Sequence, residues 1–301
     1  METTQQIGAH RVKVWEEGHG PPVVFFYDSW HTSHGFYAVS DHLSEKHRVL
    51  SMDPPGFGAS PGASDLSLDL NDYAELFGEF VRYAGIRGVT LALCDLGLPI
   101  GLNFLAEGTD AVEHVERVVI TNGLLYGEQA AGRGLFGQGM LLSGRELPID
   151  RVHHRRRLLQ FFGDPNTMDE SIAEDAWYSF SKGRLNDQAK LAKTFDDLKS
   201  DLEGWRRSLG ESGIPVLVLW GEEDPSGDRK LVEKFQEEVP QAEIYMLPDV
   251  GHFPHLEVPD VVADGIRDFV KRAQRGAPPR EPEPAAEEET PDDASPSPED
   301  Q

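Results

Sequence analysis

Residues 89–105, VTLALCDLGLPIGLNFL, constrain the chain most. Val89 to Cys94 form an uninterrupted apolar run, as a strand buried on both faces requires, and from Leu96 to Ala106 apolar residues return at helical spacing. The chain therefore has to turn at Asp95. Gly97, two positions on, lets the helix backbone pass close to the strand end. A tight strand-to-helix turn holds the side chain at its tip clear of both elements, the arrangement of a nucleophile elbow. The residue at the tip is a carboxylate. Asp is also a favoured helix N-cap, stabilised by the positive end of the helix dipole. On this stretch alone, a capping Asp95 and a reactive Asp95 both stand.

The rest of the chain alternates in kind. Gln6 to Trp15 read as an exposed strand pair, and Val23 to Tyr27 as an apolar strand followed by a polar, His-rich loop from Asp28 to His34. Phe36 to Lys46 reads as a helix, Val49 to Met52 as a strand ending in a Pro/Gly turn at 53–58, and Leu70 to Tyr83 as a helix. Val115 to Thr121, Pro215 to Trp220 and Ala242 to Leu247 are further strands, with helices predicted over Asp228 to Glu238 and Pro259 to Arg272. Such alternation implies an α/β fold, a mostly parallel central sheet with helices on both faces, whose ligands bind beyond the carboxyl ends of the strands. The core divides into 1–122 and 206–273. Residues 123–205 between them have no strand pattern and read as an inserted helical cap. The glycines of 127–147 predict a mobile lid; an ungated, loop-rich excursion is the alternative.

Charge excludes several partners. The formal net charge of −25 argues against nucleic acid and anionic membranes, which need clustered Lys and Arg. The basic cluster His153–Arg157 reads as a solvated helix face. Residues 274–301 read as a disordered acidic tail, with nine Asp or Glu against Arg280 alone from 276 onward. No run approaches the roughly 18 apolar residues of a membrane span, and the start has no basic end followed by an apolar core. The single cysteine, Cys94, permits no internal disulfide, so a reducing cytoplasm is expected. No phosphate-binding glycine fingerprint follows the first strand, and no cofactor is expected. The partner expected is a small, mostly apolar organic substrate. Oligomeric state is left open.

The turn DPPGFGAS at 53–60, GEEDP at 221–225 and DVGHF at 249–253 join the elbow in a fixed order. From about residue 7 to 273 the chain resembles the α/β-hydrolase fold superfamily, in which nucleophile, acid and histidine follow in that order. The resemblance implies Asp95 as nucleophile, Asp224 as orienting acid and His252 as base. It also implies the backbone N–H groups of Leu96 and Ser29 as oxyanion donors. Taken singly, Asp224 is a turn residue before Pro225, and His252 is one of 11 histidines.

A carboxylate at the elbow is poorly suited to acyl transfer, which would leave a reactive anhydride. It suits displacement of a halide or an epoxide oxygen at saturated carbon, giving an alkyl ester. The elbow looks most like those of haloalkane dehalogenases and epoxide hydrolases. Two departures stand out: Leu96 replaces the Trp usual in both, and Tyr27-Asp28-Ser29-Trp30 replaces His-Gly-Asn-Pro. Trp30 or the cap residue Trp177 is then the candidate N–H donor to a halide, and Tyr126 and Tyr178 are candidate acids for an epoxide. Asp28, His31 and His34 in one loop offer a proton relay for a non-hydrolytic lyase, isomerase or cyclase. Their spacing fits no common structural zinc pattern, and no metal is expected. A small-ligand-binding protein on a hydrolase scaffold is the reading from another class.

Overall fold

The computed structural model describes residues 1–26, 30–61, 69–85, 87–127, 129, 150–182 and 199–275. Eight strands, β1 (Glu2–Ile7), β2 (His10–Gly18), β3 (Pro22–Phe26), β4 (Arg48–Asp53), β5 (Val89–Cys94), β6 (Val115–Thr121), β7 (Val216–Gly221) and β8 (Ala242–Leu247), form one sheet in the order β1-β2-β4-β3-β5-β6-β7-β8. The β1/β2 hairpin and the β2/β4 pair are antiparallel, and every other pairing is parallel. Their composition accounts for this. The edge strand β1 alternates exposed and half-buried residues, whereas β3, β5 and β7 are buried at every position and need cover on both faces.

Period-two alternation assigns that cover. Val24 and Phe26 of β3 point into one core layer, Val23 and Phe25 into the other. The first layer is closed by α2 (Leu70–Ala84), α3 (Gly97–Glu107), α6 (Lys199–Ser212) and α7 (Arg229–Glu238), and contains the Phe26–Phe77–Phe104 ring contacts. The second is closed by α1 (Tyr37–Leu43) and α9 (Pro259–Gln274), through Val39, Leu43, Ile266 and Phe269. Each such buried side chain contributes about 1.5–3 kcal/mol of transfer free energy.

Three expected boundaries move. The helix expected over 36–46 is a 3-10 turn, Ser33–Phe36, capped by Thr32, followed by the short α1. The expected division at 205/206 falls inside α6, because Leu202 and Leu209 bury in the core layer against α3. The last helix continues to Gln274. Within 123–205, α4 (Arg151–Leu158) and α5 (Glu170–Lys182) precede α6. Most of the glycine-rich stretch and the acidic tail lie outside the described residues. Gly101 lets α3 pass close to β5: a Cβ there would lie 2.5 Å from a Leu93 methyl. No helix among the described residues is long and apolar enough to cross a membrane.

Candidate active site

Strand β5 ends at Cys94, and Asp95 takes φ 46 before α3 begins at Gly97. A non-glycine residue in the left-handed region is uncommon, and Asp tolerates it better than most. The turn is held from outside by Gly123, where a Cβ would lie 2.9 Å from the Asp95 carbonyl oxygen. Strand β7 delivers Asp224 and the loop after β8 delivers His252. His252 Nδ1 lies 2.8 Å from Asp224 Oδ2, and its Nε2 lies 3.3 Å from Asp95 Oδ1. All three side chains are buried.

Four donor contacts surround Asp224. Asn122 Nδ2 donates to Oδ2 at 2.7 Å, beside the imidazole, while the Ser226 N–H (2.9 Å) and Oγ (2.6 Å) donate to Oδ1. Burial alone would raise this carboxyl; the charge of His252 and the donated hydrogen bonds outweigh it and hold it below the usual range. Burial opposes the imidazolium of His252 as well, but the carboxylates of Asp224 and Asp95 prevail and push it up to about 10. The resting arrangement is therefore an imidazolium between two carboxylates. Such an arrangement can supply a carboxylate for attack, an imidazole that becomes a base only after giving up its proton, and a third group that holds the imidazole in place.

The model of the family described as alpha/beta hydrolase fold matches residues 21–259. The chain is an α/β hydrolase. Among curated relatives, Lipase 3 of Moraxella sp. is 33% identical over 261 residues, covering 84% of this chain and 79% of that protein. Haloalkane dehalogenase 2 of Mycobacterium bovis is 23% identical, covering 85% and 90%. The dihydrolipoyllysine-residue acetyltransferase component of the acetoin cleaving system of Pseudomonas putida is 25% identical; the match covers 76% of this chain and spans 58% of that longer protein. Of solved structures, a putative lipase of Acinetobacter baumannii superposes with TM-score 0.76 at 17% identity, covering 92% of each chain. An epoxide hydrolase of Bacillus megaterium superposes with TM-score 0.72 at 18% identity, covering 89% of this chain and 100% of that one. At these identities the structural matches speak for the fold alone.

Other residues singled out in the sequence of this hydrolase fall in different places. Leu96 has its side chain in the core, which leaves only its backbone facing the elbow turn. Ser29 and Asp28 lie outside the described residues. Trp30 is half-buried, its ring 5.7 Å from Phe161, which is in turn 6.1 Å from the His252 ring. Trp177 of α5 packs on His154 of α4 and on Phe180. Burial, with His31 and Arg157 nearby, lowers His154 to about 4, so a neutral imidazole sits among these rings.

Two expectations are corrected by packing. Tyr126 does not offer its hydroxyl to Asp95: it donates to Glu238 at 3.2 Å, with Arg206 stacked 3.9 Å over the ring. Tyr178 is 44% exposed on α5. The loop histidines also separate. His34 is exposed, stacked on Tyr37 and beside Trp15, while His31 is buried against Phe253. Both line a cavity of about 40 Å³ with Asp175 and Leu256, which does not include Asp95 or His252.

Sequence reasoning passed over the residues that hold these groups. Asn122 takes φ 56 at the end of β6, and besides donating to Asp224 it accepts from the Gly221 N–H at 2.9 Å. An Asn-Gly pair closing a strand was the available signal. Asp53 accepts the N–H groups of Ser33 and Ala59, and Asp175 of α5 accepts both the N–H (2.9 Å) and the hydroxyl (2.7 Å) of Thr32. The loop expected to carry an oxyanion donor is thus tied both to the sheet and to α5. No spacing in the sequence announces the Asp175 contact.

Proposed function

We propose that this α/β hydrolase displaces a leaving group at a saturated carbon through an alkyl ester on Asp95, in the manner of a haloalkane dehalogenase. The observation that carries the reading is the residue at the elbow: a carboxylate at φ 46, within 3.3 Å of the imidazole of a buried His–Asp pair. Lipase 3 bears a name for acyl chemistry, but a carboxylate attacking an acyl carbon forms an anhydride, whereas attack at saturated carbon forms an ester that water can open. The distant relative named haloalkane dehalogenase supports the same direction.

In the first step Asp95 Oδ bonds to the substrate carbon as the bond to the leaving group breaks, and the halide departs with the electron pair. Asp95 is then neutral, one of the two carboxylates raising His252 is gone, and the imidazolium releases its proton to solvent. Neutral His252 next takes a proton from water, and the hydroxide adds to Cγ of Asp95. The oxyanion is held by the N–H groups of Leu96 and Ser29. Collapse expels the alcohol and returns the carboxylate–imidazolium pair. Trp30, packed on Phe161 beside His252, is the assigned donor to the leaving halide. The epoxide reading is weaker because Tyr126 is engaged by Glu238 and Tyr178 faces solvent.

The experiment is intact-mass analysis with peptide mapping of His252→Phe after incubation with haloalkanes, haloacids and epoxides. An ester on the Asp95 peptide is expected, its mass identifying the leaving group. Turnover of a panel member by the wild type, with no adduct on the variant, removes Asp95 as nucleophile.

A further inference from the structure

The segment 161–164, between α4 and α5, and the loop bearing His252 are joined main chain to main chain. The His252 N–H donates to the Phe161 carbonyl at 2.7 Å. Beside that bond stands Glu257, at the end of the short helix α8 (Pro254–Glu257) and only 8% exposed. Its Oε1 accepts the Gly251 N–H at 2.9 Å, and its Oε2 accepts the Gly163 N–H at 2.8 Å and, at 3.4 Å, that of Asp164. One carboxylate therefore spans both segments.

The surrounding backbone is built around this contact. A Cβ at Gly251 would lie 2.1 Å from the Phe161 oxygen, and one at Gly163 would lie 2.3 Å from the Asp249 oxygen. The two segments approach too closely for side chains at either glycine, and the gap between their N–H groups is filled by Glu257. No Lys or Arg pairs with it among the described residues, and burial pushes it up to about 7 against the pull of the backbone donors. An amide could not replace it, since its NH₂ would face another N–H.

We infer that Glu257 is a positioning residue, whose carboxylate locks the main chain of His252 to segment 161–164 and so aims the imidazole between Asp95 and Asp224. Its catalytic consequence rests on the Asp95 ester reading; its structural consequence does not. Misplacing the base acts on the hydrolytic step, where His252 must meet a water, and spares the displacement step, where Asp95 acts alone.

The test is Glu257→Gln in the full chain, read by NMR and by kinetics. The amides of Gly251 and Gly163 are expected to shift upfield. The downfield ring proton of His252, assigned by its absence in His252→Phe, is expected to exchange with water at least about tenfold faster. On a substrate the wild type turns over, ester hydrolysis should slow on the order of 10–100-fold, with the rate of ester formation and kcat/KM within about twofold of wild type. Glu257→Asp, which keeps the charge one methylene short, should recover part of both effects and serves if the Gln variant does not fold. In the wild type, the two glycine amides should exchange slowly; fast exchange at either overturns the role, as does unchanged His252 exchange in a folded variant. If the NMR changes appear but no Asp95 adduct ever forms, the Asp95 reading fails and the Glu257 assignment stands.

Discussion

His252 Nε2 lies 3.3 Å from Asp95 Oδ1, and the opposite ring nitrogen lies 2.8 Å from Asp224 Oδ2. An imidazole placed between two buried carboxylates carries its proton at neutral pH, and that proton links the site to stability. The folded value, about 10, stands above the unbound 6.5. The contribution is full below about pH 6.5 and is lost as pH rises toward about 10. Thermal melts of the wild type should therefore fall over that window more steeply than those of His252→Phe. Equal slopes would contradict the charged resting pair.

Asp95→Asn keeps the shape of the turn and a side chain that tolerates the left-handed region, but removes the carboxylate proposed as nucleophile. Turnover should drop on the order of 10⁴-fold, with Tm within a few degrees of wild type and no covalent adduct by mass. Residual turnover within tenfold of wild type would place the chemistry elsewhere.

Asn122→Ala removes a donor from the buried Asp224 and puts alanine at φ 56. The uncompensated acceptor and the strained backbone together should cost about 2–4 kcal/mol in urea unfolding. Because Asp224 then loses a hydrogen bond to its charged form, acid unfolding should begin at higher pH. A cost under about 0.5 kcal/mol would mean that Asn122 is incidental.

Two glycines in positive-φ conformations separate strain from crowding. Gly108, at φ 63, has nothing within 4 Å of a Cβ position, so Gly108→Ala should cost about 1 kcal/mol. Gly123 has a Cβ position 2.9 Å from the Asp95 oxygen and 3.0 Å from its nitrogen. Gly123→Ala should cost about 3 kcal/mol or more and displace the elbow, slowing ester formation as well. Denaturation and stopped-flow measurements on the pair would distinguish the two.

Asp175→Ala releases Thr32, and with it the tether between α5 and the loop that follows β3. Stability should fall by about 1–2 kcal/mol. Hydrolysis should slow more than substrate binding, because the loop bears the expected Ser29 donor. A rise in KM with kcat unchanged would instead assign Asp175 to substrate access.

Local pattern determined much of this protein. The apolar runs of β3, β5 and β7 demand cover on both faces, so a parallel sheet between helix layers was legible, as was a turn at Asp95 with a carboxylate at its tip. The chain order of Asp95, Asp224 and His252 was legible too, through its resemblance to a fold that uses that order. What sequence could not convey is contact across long separations. Asn122 meets Asp224 because β6 and β7 are neighbours, and Tyr126 turns from Asp95 because Glu238 and Arg206 engage it. His31 and His34 share one loop but divide between interior and surface: His31 precedes the 3-10 turn and packs on Phe253, whereas His34 lies within the turn and stacks on Tyr37. Glu257 reads as an ordinary helix residue until the chain folds. Only then do two backbone segments, from the connection between α4 and α5 and from the histidine loop, bring their N–H groups to the same carboxylate.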